Sequence, residues 1–124
     1  MSKIEVVRKD ELRAGQSTPG ILREKAFEAE EVLVSRSTVA GAVVSDWHHH
    51  GHRHLYGFLI SGHLQLEFGP KGKEAVVINP GDYFHIPPGI IHRDVNPDKL
   101  RRFQVAGILL GKGLAVVNVR GPEG

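Results

Sequence analysis

Gly81-Asp82-Tyr83-Phe84-His85-Ile86-Pro87-Pro88-Gly89-Ile90-Ile91-His92 is the stretch on which the fold turns. Tyr83 to Ile86 reads as a short strand, entered through the turn Asn79-Pro80-Gly81-Asp82 and left through the bend Pro87-Pro88-Gly89. A second strand follows from Ile90 to Val95 and stops at Asn96-Pro97-Asp98. It carries a single histidine, His92.

The same punctuation continues in both directions. Tyr56 to Ile60 and Leu64 to Phe68 flank the turn Ser61-Gly62-His63, and Leu64, Leu66 and Phe68 alternate with Gln65 and Glu67, which gives one buried and one wet face. Ile4 to Val7, Val32 to Val39, Ala75 to Ile78, Phe103 to Leu110 and Leu114 to Val119 supply further strands. Residues 21–31 are mixed: their Ala, Glu, Lys and Leu favour a helix, but their length and surroundings favour extended chain or a single turn. Eight to ten short strands, spaced by many of the 15 glycines and 7 prolines, imply an antiparallel sandwich or barrel.

At 124 residues the chain makes one domain, large enough to bury a core without covalent staples. There is no cysteine, so any metal must be held by imidazole, carboxylate, amide or water. Sixteen Lys and Arg against fourteen Asp and Glu leave a net charge of +2, scattered rather than striped, which argues against a nucleic-acid partner. The charged N-terminus has no apolar signal-like run, and no stretch is long and apolar enough to cross a membrane. The expected setting is therefore soluble and cytoplasmic.

Five of the eight histidines fall within seven positions of Gly41–Gly62, GAVVSDWHHHGHRHLYGFLISG. His48 and His50 are two apart, so on an extended strand both imidazoles leave the same face and can converge on one ion. His92, about forty residues on, is the candidate to complete the cluster. His49 and His52 read as bystanders. A purification tag would be terminal and uninterrupted, whereas this run lies mid-chain and leads straight into a strand.

Taken together, these residues resemble the cupin superfamily, whose barrel is marked by two motifs. The second motif falls on Gly81, Pro87, Gly89, His92 and Asn96 without a gap. The first fits Gly41, His48, His50 and Gly62, with one extra residue after Gly41. Where the motif usually has an acidic ligand, this chain has His54 or Leu55. The likeness spans roughly residues 32–119 and implies an all-β, double-stranded β-helix or jelly-roll barrel. Residues 1–31 would then form an N-terminal arm that contacts the second subunit of a homodimer.

On this resemblance the ligand set is His48, His50, His54 and His92, with His52 swung inward instead of His54 if Gly51 breaks the alternation. Three histidines plus water is the fallback. A nitrogen-rich set suits zinc, iron, nickel or copper and disfavours magnesium and calcium. Asp46, Asp82 and Asp94 are the nearby acids available to fix imidazole tautomers. If register continues from His50, Tyr56, Phe58 and Ile60 line the interior, and Trp47 and Tyr83 either close its mouth or pack as core. His85 is either a pocket or a surface residue. Arg93, Arg101 and Arg102 are available to pair with a carboxylate.

The function implied is metal-dependent chemistry on a small organic molecule. A dioxygenase is favoured because no Lys or Glu base stands beside the ligands. An isomerase or decarboxylase, or a non-catalytic ligand-binding or sensing barrel, is the alternative.

Overall fold

The computed structural model describes residues 2–123. Among these the regular structure is almost wholly strand: β1 (Arg13–Ala14), β2 (Ile21–Ala29), β3 (Val32–Val39), β4 (His48–His49), β5 (His54–Ser61), β6 (Leu64–Phe68), β7 (Glu74–Ile78), β8 (Tyr83–Ile86), β9 (His92–Val95), β10 (Phe103–Leu110) and β11 (Val117–Asn118), with one 3-10 turn at Pro70–Gly72. Six strands form one sheet in the order β1-β2-β3-β10-β5-β8, and five form the other in the order β11-β4-β9-β6-β7. The pairings are antiparallel throughout. This is the jelly-roll barrel expected from the sequence.

Alternation explains which side of each strand faces in. Along β10, Phe103, Val105, Gly107 and Leu109 are buried while Ala106, Ile108 and Leu110 are exposed. On β6, Leu64 and Leu66 are buried between the more open Gln65 and Glu67. Phe103, Leu59, Leu64 and Val39 are the largest fully buried side chains, and they lie in one cluster with Ile21, Leu66, Ile78, Ile86 and Val105. Two motif residues serve this packing. A side chain on Gly41 would meet the carbonyl oxygen of Lys99 at 2.7 Å, so only glycine lets these segments pass. Asn96 is buried, and its Nδ2 donates to the carbonyls of Val39, Ala40 and Arg101 while its Oδ1 accepts from the Asp98 N–H. One side chain thus satisfies four backbone groups where the chain leaves the sheet.

Three boundaries differ from the sequence pattern. The mixed segment after residue 20 is a full strand, β2, paired with β3 from Ile21↔Val39 to Ala29↔Val32, so the sheet begins well before Val32. Its helix-favouring residues yield to this pairing. Ile4 to Val7 forms no strand, and the expected Leu114 to Val119 strand shrinks to Val117–Asn118. Upstream, β1 pairs with β2, and the Gln16 side chain donates to the carbonyl of Val116.

Candidate metal centre

β4 and β9 are neighbours in the five-stranded sheet, with His48 directly opposite His92. His50 lies two residues beyond His48 on the same face. These are the three histidines that the structure brings together: their ring nitrogens include one from each residue lying within 4.8 Å of one another, and all three residues are buried. Ring centroids are 4.3 Å apart for His48 and His92, 5.1 Å for His50 and His92, and 5.4 Å for His48 and His50.

Backbone carbonyls fix the tautomers. Nδ1–H of His48 donates to the Asp46 carbonyl at 2.8 Å, that of His50 to the Ala115 carbonyl at 2.8 Å, and that of His92 to the Ile90 carbonyl at 2.9 Å. A carbonyl can only accept, so the proton sits on Nδ1 and each Nε2 presents a lone pair. The acids expected to do this work do not: Asp46 contributes its carbonyl, and Asp82 closes its own turn by accepting from the Asn79 N–H. Burial, reinforced by the nearby His92, pushes His48 and His50 down to about 3, and burial also lowers His92. All three are therefore neutral at pH 7, the form that binds metal.

The donor set fits a divalent transition ion. Nε2 of His50 is buried and has no hydrogen-bond partner, which leaves a lone pair unsatisfied unless a cation takes it. Three imidazole nitrogens suit zinc, iron, nickel or copper.

The histidines form part of the wall of a cavity of about 420 Å³. Leu55, Phe84 and Val105 contribute apolar lining, and Arg23, Ser35 and Ser37 polar lining. Register places Arg23 opposite Ser37. Nη1 of Arg23 donates to the Thr18 hydroxyl at 2.7 Å and to the Gln16 carbonyl at 3.2 Å, while its Nε and Nη2 make no hydrogen bond among the described residues. Burial lowers the pKa of Arg23 and the Asp94 carboxylate opposes the shift, which places the guanidinium in the field of the site. Sequence reasoning missed Arg23 because β2 was not recognised as a strand. The three arginines it noted as available lie elsewhere: Arg93 pairs with Glu67 and covers Trp47, and Arg101 and Arg102 are exposed.

His54 is not brought to the cluster. Gly51 adopts φ 61° in a turn closed by Arg53 N–H to the His50 carbonyl, and this resets the alternation. From there Leu55, Gly57 and Leu59 point inward, while His54, Tyr56, Phe58 and Ile60 point outward. Tyr56, Phe58 and Ile60 therefore do not line the cavity. A side chain on Gly57 would collide with the ring of its cross-strand partner Phe84, which covers this inner position. Outside the barrel, Nδ1 of His54 and Nε2 of His85 share a hydrogen bond of 3.0 Å, and His85 stacks on Tyr56 at 4.5 Å. Tyr83 is 82% exposed and tilts against Phe58. Trp47 packs over Gly72 and Gly121, away from the cavity. His52 is exposed. Of the six residues expected to line a pocket, His85 borders a second depression of about 270 Å³ with Ile86, Ile90 and His92.

The family model for the Cupin domain matches residues 36–103, more than half of the chain. The chain belongs to the cupin family. No curated protein matches it at significant sequence similarity. Among solved structures, this cupin is similar to an uncharacterised Klebsiella pneumoniae protein with a double-stranded β-helix domain, at 19% identity and a TM-score of 0.73, covering 96% of this chain and 98% of that one. The polyketide cyclase RemF of Streptomyces resistomycificus gives 16% identity and a TM-score of 0.74, with 96% and 86% covered. Bacillus subtilis oxalate decarboxylase, described with Mn(II) centres, gives 18% identity and a TM-score of 0.70, with 86% of this chain but only 30% of that one covered. At these identities the likeness is one of fold.

Proposed function

We propose that this cupin is a metal-dependent enzyme acting on a small organic acid inside the barrel. The observation that carries the reading is the convergence of three neutral imidazole lone pairs, from His48, His50 and His92, on the wall of a cavity large enough for a small molecule. A divalent transition ion held there would act as a Lewis acid toward a carbonyl or carboxylate oxygen or, for iron or copper, support dioxygen chemistry. Arg23 offers Nε and Nη2, the edge suited to a bidentate carboxylate, and is already held in place through Nη1. The hydroxyls of Ser35 and Ser37 stand beside it as orienting donors, and Leu55, Phe84 and Val105 add apolar lining to the same cavity, Val105 directly across from Ser37. Oxalate, for which one fold neighbour is named, is an acid of the size and charge such a pocket suits.

The test is elemental analysis of tag-free protein, followed by substrate-loss assays on a panel of small carboxylic acids with an oxygen electrode in parallel. About one transition ion per chain, lost in His50→Ala, and turnover that falls sharply in Arg23→Gln are expected. Substrate loss with oxygen uptake assigns the dioxygenase class, and loss without it a Lewis-acid reaction. Binding of the acid without turnover would replace this reading with that of a ligand-binding cupin.

A further inference from the structure

β9 carries Asp94 two residues after His92, on the same face. Oδ1 of Asp94 lies 3.8 Å from Nε2 of His48 and 3.9 Å from Nε2 of His92, with the side chain 16% exposed. Among the described residues this carboxylate accepts no hydrogen bond from protein; the contacts of Asp94 with Ser45 are made by its backbone. It faces the imidazoles from the side of Nε2, not from behind at Nδ1, where carbonyls already accept.

The Nε2 atoms it faces carry lone pairs. An anion and three lone pairs turned toward one small volume repel one another, since no proton lies among them to be shared. A cation between them reverses the sign of every one of these interactions. Around an ion with ligands at about 2.1 Å, adjacent donors stand roughly 3.0 Å apart and opposed donors about 4.2 Å apart. Asp94 is within about 1 Å of an adjacent position to both His48 and His92, while it lies outside the 4.8 Å group that those two form with His50 and so stands farther from His50.

We propose that Asp94 is the fourth protein ligand. It supplies from β9 the carboxylate that the first motif places in β5, where this chain has Leu55. The proposal rests on the metal reading above. It also accounts for the charge: three neutral imidazoles leave a divalent ion uncompensated, and one carboxylate halves the excess.

Zinc affinity, measured by competition with a chromophoric chelator, tests it in wild type, Asp94→Ala, Asp94→Asn and His92→Ala. Zinc-edge X-ray absorption reads the donor set independently of any activity. Asp94→Ala should weaken zinc about 100-fold and Asp94→Asn at least about tenfold, each still binding one ion, with a carboxylate oxygen lost from the absorption spectrum. Asp94→Asn keeps the side-chain volume, so it decides the matter if the alanine variant is poorly folded. Affinities within about threefold of wild type and an unchanged spectrum, with His92→Ala still impaired, would sink the ligand assignment and leave the metal reading standing. A wild type that takes up no zinc would remove both.

Discussion

Two groups of histidines in this cupin differ in almost everything except residue type. His48, His50 and His92 are buried, each tied at Nδ1 by a carbonyl, with Nε2 atoms gathered inside the barrel. His54 and His85 lie on the outer face of the six-stranded sheet, bonded to each other and stacked beside Tyr56. Burial and an anchored far nitrogen make a candidate ligand, and proximity in sequence does not. His54 is only four residues from His50, yet a single turn at Gly51 puts it on the other side of the wall.

The most severe way to break the contrast is to remove one member of each group. His50→Ala or His92→Ala should lower zinc affinity by several orders of magnitude, whereas His54→Ala should leave it within about threefold, as read by chelator competition. Equal losses would make the two groups equivalent.

Acid stability sharpens the same division. In the metal-free protein, folded His48 and His50 titrate near 3 while their unfolded counterparts titrate at about 6.5. Between those values the unfolded chain binds more protons than the folded one, so stability is complete above about pH 6.5 and is lost as pH falls toward 3. Each group contributes a slope of up to roughly 1.4 kcal/mol per pH unit. Urea unfolding from pH 7 to 4 should show this slope, reduced in His50→Gln and unchanged in His54→Gln.

Leu55 provides a smaller test. It occupies the inward position next to His54 and lines the cavity. In an Asp94→Ala background, Leu55→Glu should restore zinc affinity by about tenfold, because it returns a carboxylate to the first motif. The smallest effect belongs to His85→Ala, which should move the unfolding free energy of the zinc-bound protein by no more than about 0.5 kcal/mol, as expected at an exposed site.

The barrel and most of the metal centre were legible because they depend on local periodicity and on short, rigid motifs. Gly81, Pro87, Gly89, His92 and Asn96 fix turn geometry and one inward ligand, and the pair His48/His50 needs only two-residue alternation. What escaped depended on events at a distance. Alternation cannot be carried through a left-handed turn, so the inner face of β5 was assigned to Tyr56, Phe58 and Ile60 instead of Leu55, Gly57 and Leu59. Arg23 enters the cavity through the pairing of β2 with β3, which nothing in ILREKAFEA announces. Asp94 was visible as a nearby acid, but the side of the imidazoles it faces is a property of two strands lying together.

The tie between Gln16 and Val116 joins opposite ends of the chain at the rim of the cavity, one residue from the Ala115 carbonyl that aims His50. Trimming either terminus past these points would therefore loosen the hold on His50 as well as the rim. The segments around Gln16 and Val116 are thus parts of the site and not packaging around it.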